Sequence, residues 1–227
     1  MAAGTTIGHM LIDHWPLAGL RLTTPRLELR VPSPEDLAGL ADAAAAGIHD
    51  PAQTPFLYPW TDNEPAVVAR NAIQFLWSTW ANWSPEQWRL QFVVVAEGTV
   101  MGAQAMEAKD FRTLREVATG SWLGQRFQGQ GYGTEMRAAV LDLAFAGLGA
   151  EFANTEAFDH NKASYGVSRK LGYVDNGVAR HVVRGEPTLG RKLRLDREGW
   201  AAARRVPVKI CGLDPCLRMF GLGGDED

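Results

Sequence analysis

The feature that most constrains this chain is a glycine-rich segment between a predicted strand and a predicted helix. Residues 124–134 read GQRFQGQGYGT, with glycine at the alternate positions Gly129, Gly131 and Gly133. Because glycine lacks a Cβ, the backbone here can turn sharply and approach another group closely. At a helix start, unpaired N–H groups and the positive dipole end face one point. The sequence therefore predicts an anion site suited to phosphate.

The spacing of the glycines argues against two common phosphate-binding loops. No Gly-Lys-Ser/Thr follows them, as a Walker A loop requires. A dinucleotide fingerprint needs a different spacing at the first βα turn and an acidic residue about twenty positions later. Kinases and nucleotide-dependent oxidoreductases are therefore disfavoured. A tight turn without a ligand is the alternative that the glycines alone leave open.

Four motifs in order give the segment a family context. Residues 128–133, QGQGYG, fit the pattern Gln/Arg-x-x-Gly-x-Gly/Ala without a gap, and residues 24–27 read TPRL. Residues 161–164 read NKAS, and residues 170–173 read KLGY. With these motifs the chain resembles the GNAT superfamily of acyl-CoA-dependent N-acyltransferases, in particular its RimJ/RimL-like branch of ribosomal-protein alanine acetyltransferases. The resemblance covers about residues 22–198.

Hydrophobic periodicity predicts an α/β (α+β) domain around one central sheet. The resemblance implies the GNAT fold, a mixed, mostly antiparallel, splayed sheet of about seven strands flanked by helices. We expect an N-terminal arm at residues 1–20, the acyltransferase domain at 21–205, and a C-terminal extension with an acidic tail at 206–227. The predicted strands are 26–31, 89–96, 99–108, 114–123, 151–158, 178–184 and 189–196, with a further short strand-like segment at 206–210. The predicted helices are 34–46, 65–83, 132–146 and 162–171.

The resemblance also implies a coenzyme A (CoA) site. In the family the glycine loop binds the CoA pyrophosphate, largely through backbone N–H groups. Pantetheine lies in the gap between two splayed parallel strands, where backbone groups of Trp122 and Leu123 are its expected partners. Asn161 and Ser164 match positions that contact the pantetheine arm and the thiol end. An N-cap role for Asn161 is the structural alternative, and the two roles are compatible. The implied cofactor-binding residues are Trp122, Leu123, Gln128, Gly129, Gln130, Gly131, Tyr132, Gly133, Thr134, Asn161 and Ser164.

Acyl transfer to an amine requires a base for the amine, stabilisation of the oxyanion and a proton for the leaving thiolate. Ser164 is the candidate acid, because the family places a serine or tyrosine near the sulfur. Glu116 is the candidate base, because several relatives place a glutamate early on the strand before the glycine loop. The structural alternative for Ser164 is a hydroxyl at a helix start, and the alternative for Glu116 is an exposed acid at a strand end. Asp110, in the preceding loop, is a substitute candidate for the base. Glu135 is expected only to favour its helix dipole.

Composition and charge indicate an ordinary globular protein. The net charge of −3 marks neither a nucleic-acid nor a membrane partner. With no export signal recognised and no run of about 18 apolar residues, we expect a cytoplasmic protein. Two cysteines are too few for a structural zinc site, so no metal is expected.

Residues 169–209 carry eleven Lys/Arg against four Asp/Glu. This basic excess predicts either a solvated basic face or a set of side chains that helps to hold the ribose phosphate of CoA.

Three questions stay open at this stage. The acyl donor is acetyl-CoA or, if the Trp-rich region forms a roomy pocket, succinyl-CoA; the acceptor is a protein N-terminus, an antibiotic amine, a polyamine or a metabolite. Five of the eight tryptophans lie between Trp60 and Trp88. They are interpreted as core packing of a helix, as the wall of an acceptor pocket or as a dimer face. A homodimer through these helices or residues 206–222 is a hypothesis. A CoA-binding sensor without turnover is the alternative function.

Overall fold

The protein is built on one sheet of nine strands. The computed structural model describes residues 10–223, so residues 1–9 and the acidic end of the predicted tail lie outside the described residues. The strands are β1 (Arg21–Thr23), β2 (Glu28–Arg30), β3 (Gln87–Ala96), β4 (Thr99–Lys109), β5 (Glu116–Leu123), β6 (Phe152–Phe158), β7 (Val174–Val183), β8 (Glu186–Asp196) and β9 (Lys209–Cys211).

The strand order creates a gap in the middle of the sheet. The order is β7-β8-β6-β5-β4-β3-β2-β1-β9, and every neighbouring pair is antiparallel except β5 and β6. These two parallel strands pair only from Glu116 opposite Phe152 to Ala118 opposite Asn154. Beyond that point they diverge while β5 stays paired with β4 as far as Leu123. The predicted fold class, a mixed and mostly antiparallel splayed sheet, is confirmed.

The sheet has nine strands rather than about seven because two short strands extend one edge. β1 and β9 have three residues each and pair with each other, with Leu22 opposite Ile210. β9 overlaps the strand-like segment expected at residues 206–210, whereas the three residues of β1 are too few to show the alternation that identifies a strand in a sequence. The arm and the extension proposed at residues 1–20 and 206–227 meet at this edge, where Leu20 and Phe220 are fully buried.

Helices cover both faces of the sheet, and local sequence determines where several of them begin. Ser33 and Asp36 form the predicted capping box, in which the Ser33 side chain accepts from the Asp36 N–H and Pro34 occupies the first turn. Among the described helices, none is long and apolar enough to cross a membrane. The α-helices are α1 (Leu11–His14), α2 (Pro34–Ala45), α3 (Pro65–Ala81), α4 (Phe111–Leu114), α5 (Tyr132–Asp142), α6 (Lys162–Lys170) and α7 (Arg197–Ala203).

The tryptophans divide between core packing and a wall on one side of the sheet. Trp88 is buried and stacks on Trp83, with ring centroids 5.9 Å apart. Trp60 instead packs against Trp122 of β5, with centroids 5.9 Å apart. Trp77 is 53% exposed on α3. Core packing therefore accounts for part of the cluster, while Trp60 lines the loop that faces the end of β5.

Candidate active site

The glycine loop begins where β5 ends. A short 3-10 turn at Gln125–Phe127 follows Gly124, and α5 begins at Tyr132. Gly129 has a φ of 75° and Gly131 a φ of 85°, in the left-handed region that favours glycine. Gly131 is the N-cap residue of α5, and no side chain caps that helix. The predicted strand-loop-helix arrangement is thus present, with a helix N-terminus whose first amides have no side-chain partner.

Main-chain N–H groups of the loop are available to a ligand. Within residues 10–223, five consecutive amides donate to no other described group, whereas the N–H groups of Thr134 and Glu135 bond to the Gly131 carbonyl. Orphan amides at a helix start need an acceptor, and a phosphate oxygen satisfies several at once. The five residues are Gly129, Gln130, Gly131, Tyr132 and Gly133.

The glutamine side chains of the loop turn back into the protein. Gln128 Nε2 donates to the carbonyls of Ile48 and Leu123, at 2.6 and 2.8 Å. Gln130 Nε2 donates to the carbonyl of Arg126 at 3.0 Å. These bonds hold both glutamine side chains against the protein, so the surface of the loop that faces solvent consists of main-chain atoms. This geometry is suited to the backbone-mediated binding that the resemblance implies.

The Thr-Pro-Arg-Leu motif holds the helix that follows the loop. The Thr24 hydroxyl donates to Glu135 Oε1 at 2.7 Å, and Arg26 Nε donates to Glu135 Oε2 at 2.7 Å. The Arg26 guanidinium lies over the Tyr132 ring, 4.5 Å from its centroid, and also donates to the Gln130 carbonyl. Arg26 is half exposed and places a cation beside the free amides. Sequence reasoning quoted this motif but assigned Arg26 no site role.

Glu135 does more than favour the helix dipole. Burial opposes its ionisation, but hydrogen bonds from Thr24 and Arg26 outweigh burial and lower the pKa of Glu135. Its stabilising contribution is therefore present above the unfolded pKa of about 4.3 and is lost as the pH falls through the lower folded pKa. We expect Glu135→Gln to lower the free energy of unfolding at neutral pH and to remove this acid-dependent component, measured by urea unfolding at several pH values. An unchanged acid dependence would contradict this assignment.

The open side of β5 presents main-chain groups to the gap. The Thr155 hydroxyl donates to the Thr119 carbonyl at 3.1 Å, so the backbone of Thr119 faces β6. Backbone direction alternates along a strand, so Ser121 and Leu123 face the same way. The Trp122 carbonyl instead faces Gly102 of β4. The predicted main-chain contact with pantetheine suits the Leu123 N–H, because the Leu123 carbonyl already accepts from Gln128 Nε2. The Trp122 carbonyl is turned toward β4, which does not suit the main-chain role expected of it. Both contacts stay predictions.

Asn161 and Ser164 lie at the start of α6, where the resemblance expects them. Asn161 caps this helix, its Oδ1 accepting from the Ser164 N–H at 3.1 Å. The Asn161 amide nitrogen and the Ser164 hydroxyl have no partner within residues 10–223. The cap role thus leaves both donors free for a ligand. Their contact with CoA, and the role of Ser164 as acid, stay predictions.

Glu116 lies at the closed end of the gap. Its carboxylate accepts from Asn154 Nδ2 at 2.5 Å and pairs with Arg194 at 3.1 Å. It belongs to the three-residue stretch in which β5 and β6 are still paired. One carboxylate oxygen, Oε1, is therefore already engaged by both an amide and a guanidinium. Its role as base stays a prediction, with this competing structural role.

A buried guanidinium joins the two walls of the gap from behind. Arg137 of α5 is buried and donates to Ser121 Oγ of β5 at 3.1 Å and to Ser168 Oγ of α6 at 2.9 Å. Ser168 in turn donates to the Ser164 carbonyl. Burial lowers the pKa of Arg137, and its Nε has no hydrogen-bond partner among the described residues. Sequence reasoning missed this link, which connects β5 to the turn that carries Ser164.

A loop of residues 46–64 covers the other face of the gap. Phe56, Trp60 and Trp122 form a continuous aromatic row, with centroids 5.3 and 5.9 Å apart. His160 Nε2 contacts the Thr54 carbonyl at 3.0 Å and ties this loop to the end of β6. The aromatic-wall interpretation of the Trp-rich region therefore applies to this loop.

Much of the basic excess in residues 169–209 serves the fold. Arg191 pairs with Asp159, Arg194 with Glu116, and Arg204 with the buried Asp142. The guanidinium next to the free amides is instead that of Arg26, which donates to the Gln130 carbonyl. Only pairing in three dimensions shows which of the basic side chains are already neutralised.

Comparison with known proteins gives the class to which this fold and loop belong. A family model described as an acetyltransferase (GNAT) domain matches residues 26–174, which is well over half of the chain. This chain belongs to the GNAT acetyltransferase family and is an N-acetyltransferase.

Solved structures show the same fold at low sequence identity. RimJ of Mycobacterium smegmatis in complex with CoA-disulfide is 18% identical, with a TM-score of 0.66 over 84% of this chain and 97% of that one. A GCN5-related N-acetyltransferase of Brucella melitensis is 20% identical, with a TM-score of 0.64 over 81% of each. RimL, a ribosomal L7/L12 alpha-N-protein acetyltransferase in complex with CoA, is 14% identical, with a TM-score of 0.60 over 78% and 97%.

Proposed function

We propose that this chain transfers an acetyl group from acetyl-CoA to an amine by direct attack of the amine on the thioester. The observation that carries the proposal is the row of free main-chain amides from Gly129 to Gly133, beside Arg26 and at the open end of the gap between β5 and β6. Those amides suit a diphosphate, and the gap provides an unpaired strand edge for an extended arm.

The chain's own groups bind, orient and move protons. The loop amides and Arg26 hold the phosphate end, and the Leu123 backbone orients the arm within the gap. The donor supplies an activated acyl group, so positioning alone contributes much of the rate enhancement. Ser164, whose hydroxyl has no partner within residues 10–223, supplies a proton to the leaving sulfur.

The contacts of two arginines favour acetyl over succinyl as the transferred group. A succinyl carboxylate needs a free cation at the acyl end of the gap. Arg184 is engaged with Asp62 at 2.5 Å, and Arg191 with Asp159 at 2.6 Å. Both lie on the β7–β8 hairpin or its turn, on the far side of β6 from β5, and both are already paired with a carboxylate. We therefore propose acetyl-CoA as the preferred donor.

We propose a free α-amino group, at a protein N-terminus or on a small molecule, as the acceptor. RimL, which shares the fold, is described as an alpha-N-protein acetyltransferase of ribosomal L7/L12. The aromatic row of Phe56, Trp60 and Trp122 gives this chain a contact surface for an apolar first side chain. A cytoplasmic location and a homodimer through the exposed face of α3, which carries Phe75 and Trp77, belong to the same proposal.

Native mass spectrometry combined with a thiol-release assay tests the proposal. We expect a complex with acetyl-CoA, weaker retention of succinyl-CoA, and thiol release with peptides or amines from a panel of N-terminal peptides, polyamines and amino sugars. The same spectra report whether the chain is a homodimer. Persistent binding without turnover across the panel would favour the CoA sensor, and absence of any CoA complex would refute the binding site.

A further inference from the structure

A buried cation between α5, β5 and α6 has no anionic partner in the part of the chain that the structure describes. Arg137 is 4% exposed, and its guanidinium donates to Ser121 Oγ at 3.1 Å and to Ser168 Oγ at 2.9 Å. Both partners are neutral hydroxyls, and Nε is bonded to no group within residues 10–223. A charged side chain is rarely buried unless an opposite charge lies beside it, because removing a charge from water is costly. Packing alone therefore does not explain a guanidinium at this position.

The protein itself offers Arg137 no free carboxylate on the three elements around it. The helix α6 has no acidic residue, and every carboxylate of α5 and β5 is paired with another cation. These pairs are Glu135–Arg26, Asp142–Arg204 and Glu116–Arg194. Within residues 10–223, the group recorded in electrostatic interaction with Arg137 is the Tyr173 phenol. Burial raises the pKa of Tyr173, so the phenol is uncharged at neutral pH, where an arginine stays charged.

Arg137 lies behind the glycine loop. It is five residues after Tyr132, the first residue of α5, which places its Cα about 7.5 Å along the helix axis from that residue. Helix side chains lean toward the N-terminus, which shortens this distance. Its partner Ser121 is two residues before the end of β5, where the loop begins. The charge is therefore roughly 10 Å from the free amides of residues 129–133.

A buried cation at this distance still acts on an anion at the loop. Two unit charges about 10 Å apart attract each other by an amount worth roughly a tenfold change in affinity, at the effective dielectric constant of about 20 that describes protein sites. Salt screens a buried charge much less than an exposed one. The loop amides contribute only partial charges. A diphosphate bound to them carries full negative charge, which would offset the charge of Arg137.

We propose that Arg137 is an electrostatic anchor for the diphosphate of the donor, an inference that rests on the proposed function. It acts from inside the protein and does not touch the ligand, in contrast to Arg26 at the surface. Without a ligand, the buried charge is uncompensated and destabilises the fold. The bound diphosphate offsets that charge, so the cost is recovered as binding affinity for the donor. The bonds to Ser121 and Ser168 hold the guanidinium at its distance from the loop.

Arg137→Met tests the charge, because methionine has a similar length and no charge. We expect the dissociation constant of CoA, measured by isothermal titration calorimetry, to rise roughly tenfold or more. Arg137→Lys retains the charge and stays within about threefold of the wild type. Arg197→Met is the control for the loss of one positive charge, since Arg197 bonds to the Ala150 carbonyl just before β6, at the opposite end of that strand from the loop. It should bind CoA like the wild type.

A truncated donor separates an electrostatic role from a structural one. S-acetylpantetheine has the thioester and the pantetheine arm of acetyl-CoA but no phosphate. With acetyl-CoA, thiol-release assays should show kcat/KM falling roughly tenfold or more in Arg137→Met. With S-acetylpantetheine, the wild type and the variant should have the same kcat/KM. An equal loss with both donors would show that Arg137 only fixes β5 relative to α6, and it would overturn the anchor assignment.

Urea unfolding without CoA gives an independent readout. We expect a higher midpoint for Arg137→Met than for the wild type, because replacing an uncompensated buried charge with an apolar side chain removes its desolvation cost. The difference should shrink when CoA is added, since CoA binds the wild type more tightly and stabilises it more. A lower midpoint without CoA would show that the two serine bonds outweigh the cost of the charge, which counts against the proposal.

Arg137→Gln keeps the test decisive if Arg137→Met does not fold. Glutamine is neutral but can still donate to a serine hydroxyl, so it must show the same selective loss with acetyl-CoA. Wild-type turnover together with unchanged CoA affinity in a folded neutral variant overturns this inference alone. A wild-type protein that binds CoA but acylates no amine overturns the proposed function, and the calorimetric comparison still decides the role of Arg137. A wild-type protein that binds no CoA overturns both.

Discussion

Gly131→Val raises the dissociation constant of CoA by roughly a hundredfold, whereas the matched variant Gly149→Val binds CoA like the wild type. The expected loss corresponds to one or two charge-assisted hydrogen bonds. Gly131 has a φ of 85° and is the middle one of the five loop residues whose amides have no partner within residues 10–223. A valine at this position both strains the loop and turns those amides away from a common point. Isothermal titration calorimetry with CoA measures the effect.

Gly149 provides the control because its backbone is similarly demanding and its position is remote. It has a φ of 74°, the nearest atom to an added Cβ is 4.0 Å away, and it lies just before β6, at the opposite end of β5 and β6 from the loop. Both variants are expected to lose about 1–3 kcal/mol of stability from backbone strain. If the two variants lose the same free energy of unfolding but only Gly131→Val binds CoA more weakly, the loss of binding is due to the loop and not to reduced stability. Unchanged CoA affinity in Gly131→Val would reduce the loop to a tight turn.

Gly102→Ala is expected to lower the free energy of unfolding by about 1–3 kcal/mol and to weaken CoA binding, because it forces β4 away from β5. A methyl group at this position would overlap the Trp122 carbonyl and lie 2.8 Å from the Leu123 Cα. Main-chain atoms cannot swing aside as a long side chain can. The displaced segment is the end of β5, whose Leu123 backbone faces the gap.

Urea unfolding and CoA calorimetry measure the two effects of Gly102→Ala in parallel. Gly120→Ala on β5 is the stability control, since a methyl group there meets no atom within 4 Å and Gly120 has no positive φ. Wild-type stability in Gly102→Ala would show that β4 and β5 have more room than their register implies. A stability loss without a change in CoA affinity would separate the end of β5 from the donor site.

Local sequence signals identified the elements around the site accurately. The capping box of Ser33 and Asp36 begins α2 at Pro34, and the glycine loop connects β5 to α5 at Tyr132 as predicted. Both features depend on residues within a few positions of one another, so chemistry and spacing alone reveal them. The GNAT motifs added the splayed sheet, which the short pairing of β5 with β6 confirms.

Contacts between distant residues were the part that the sequence left undetermined. Thr24 and Arg26 bond to Glu135, which is 109 or more positions away, and β1 pairs with β9, which is 186 or more positions away. A motif such as Thr-Pro-Arg-Leu shows residue types but not the carboxylate that they hold. For the same reason the basic residues of 169–209 could be counted but not sorted into paired and unpaired ones.

The sequence by itself indicated the class of protein through four short motifs that resemble the GNAT superfamily, and it determined the local elements because turn chemistry, helix capping and glycine spacing are short-range properties. Only the tertiary structure decided which groups are free to react. It pairs Glu116 with Arg194 and, within the part of the chain that the structure describes, leaves the loop amides without partners. The physical reason is that availability of a donor or acceptor depends on what the folded chain places within hydrogen-bond distance of it.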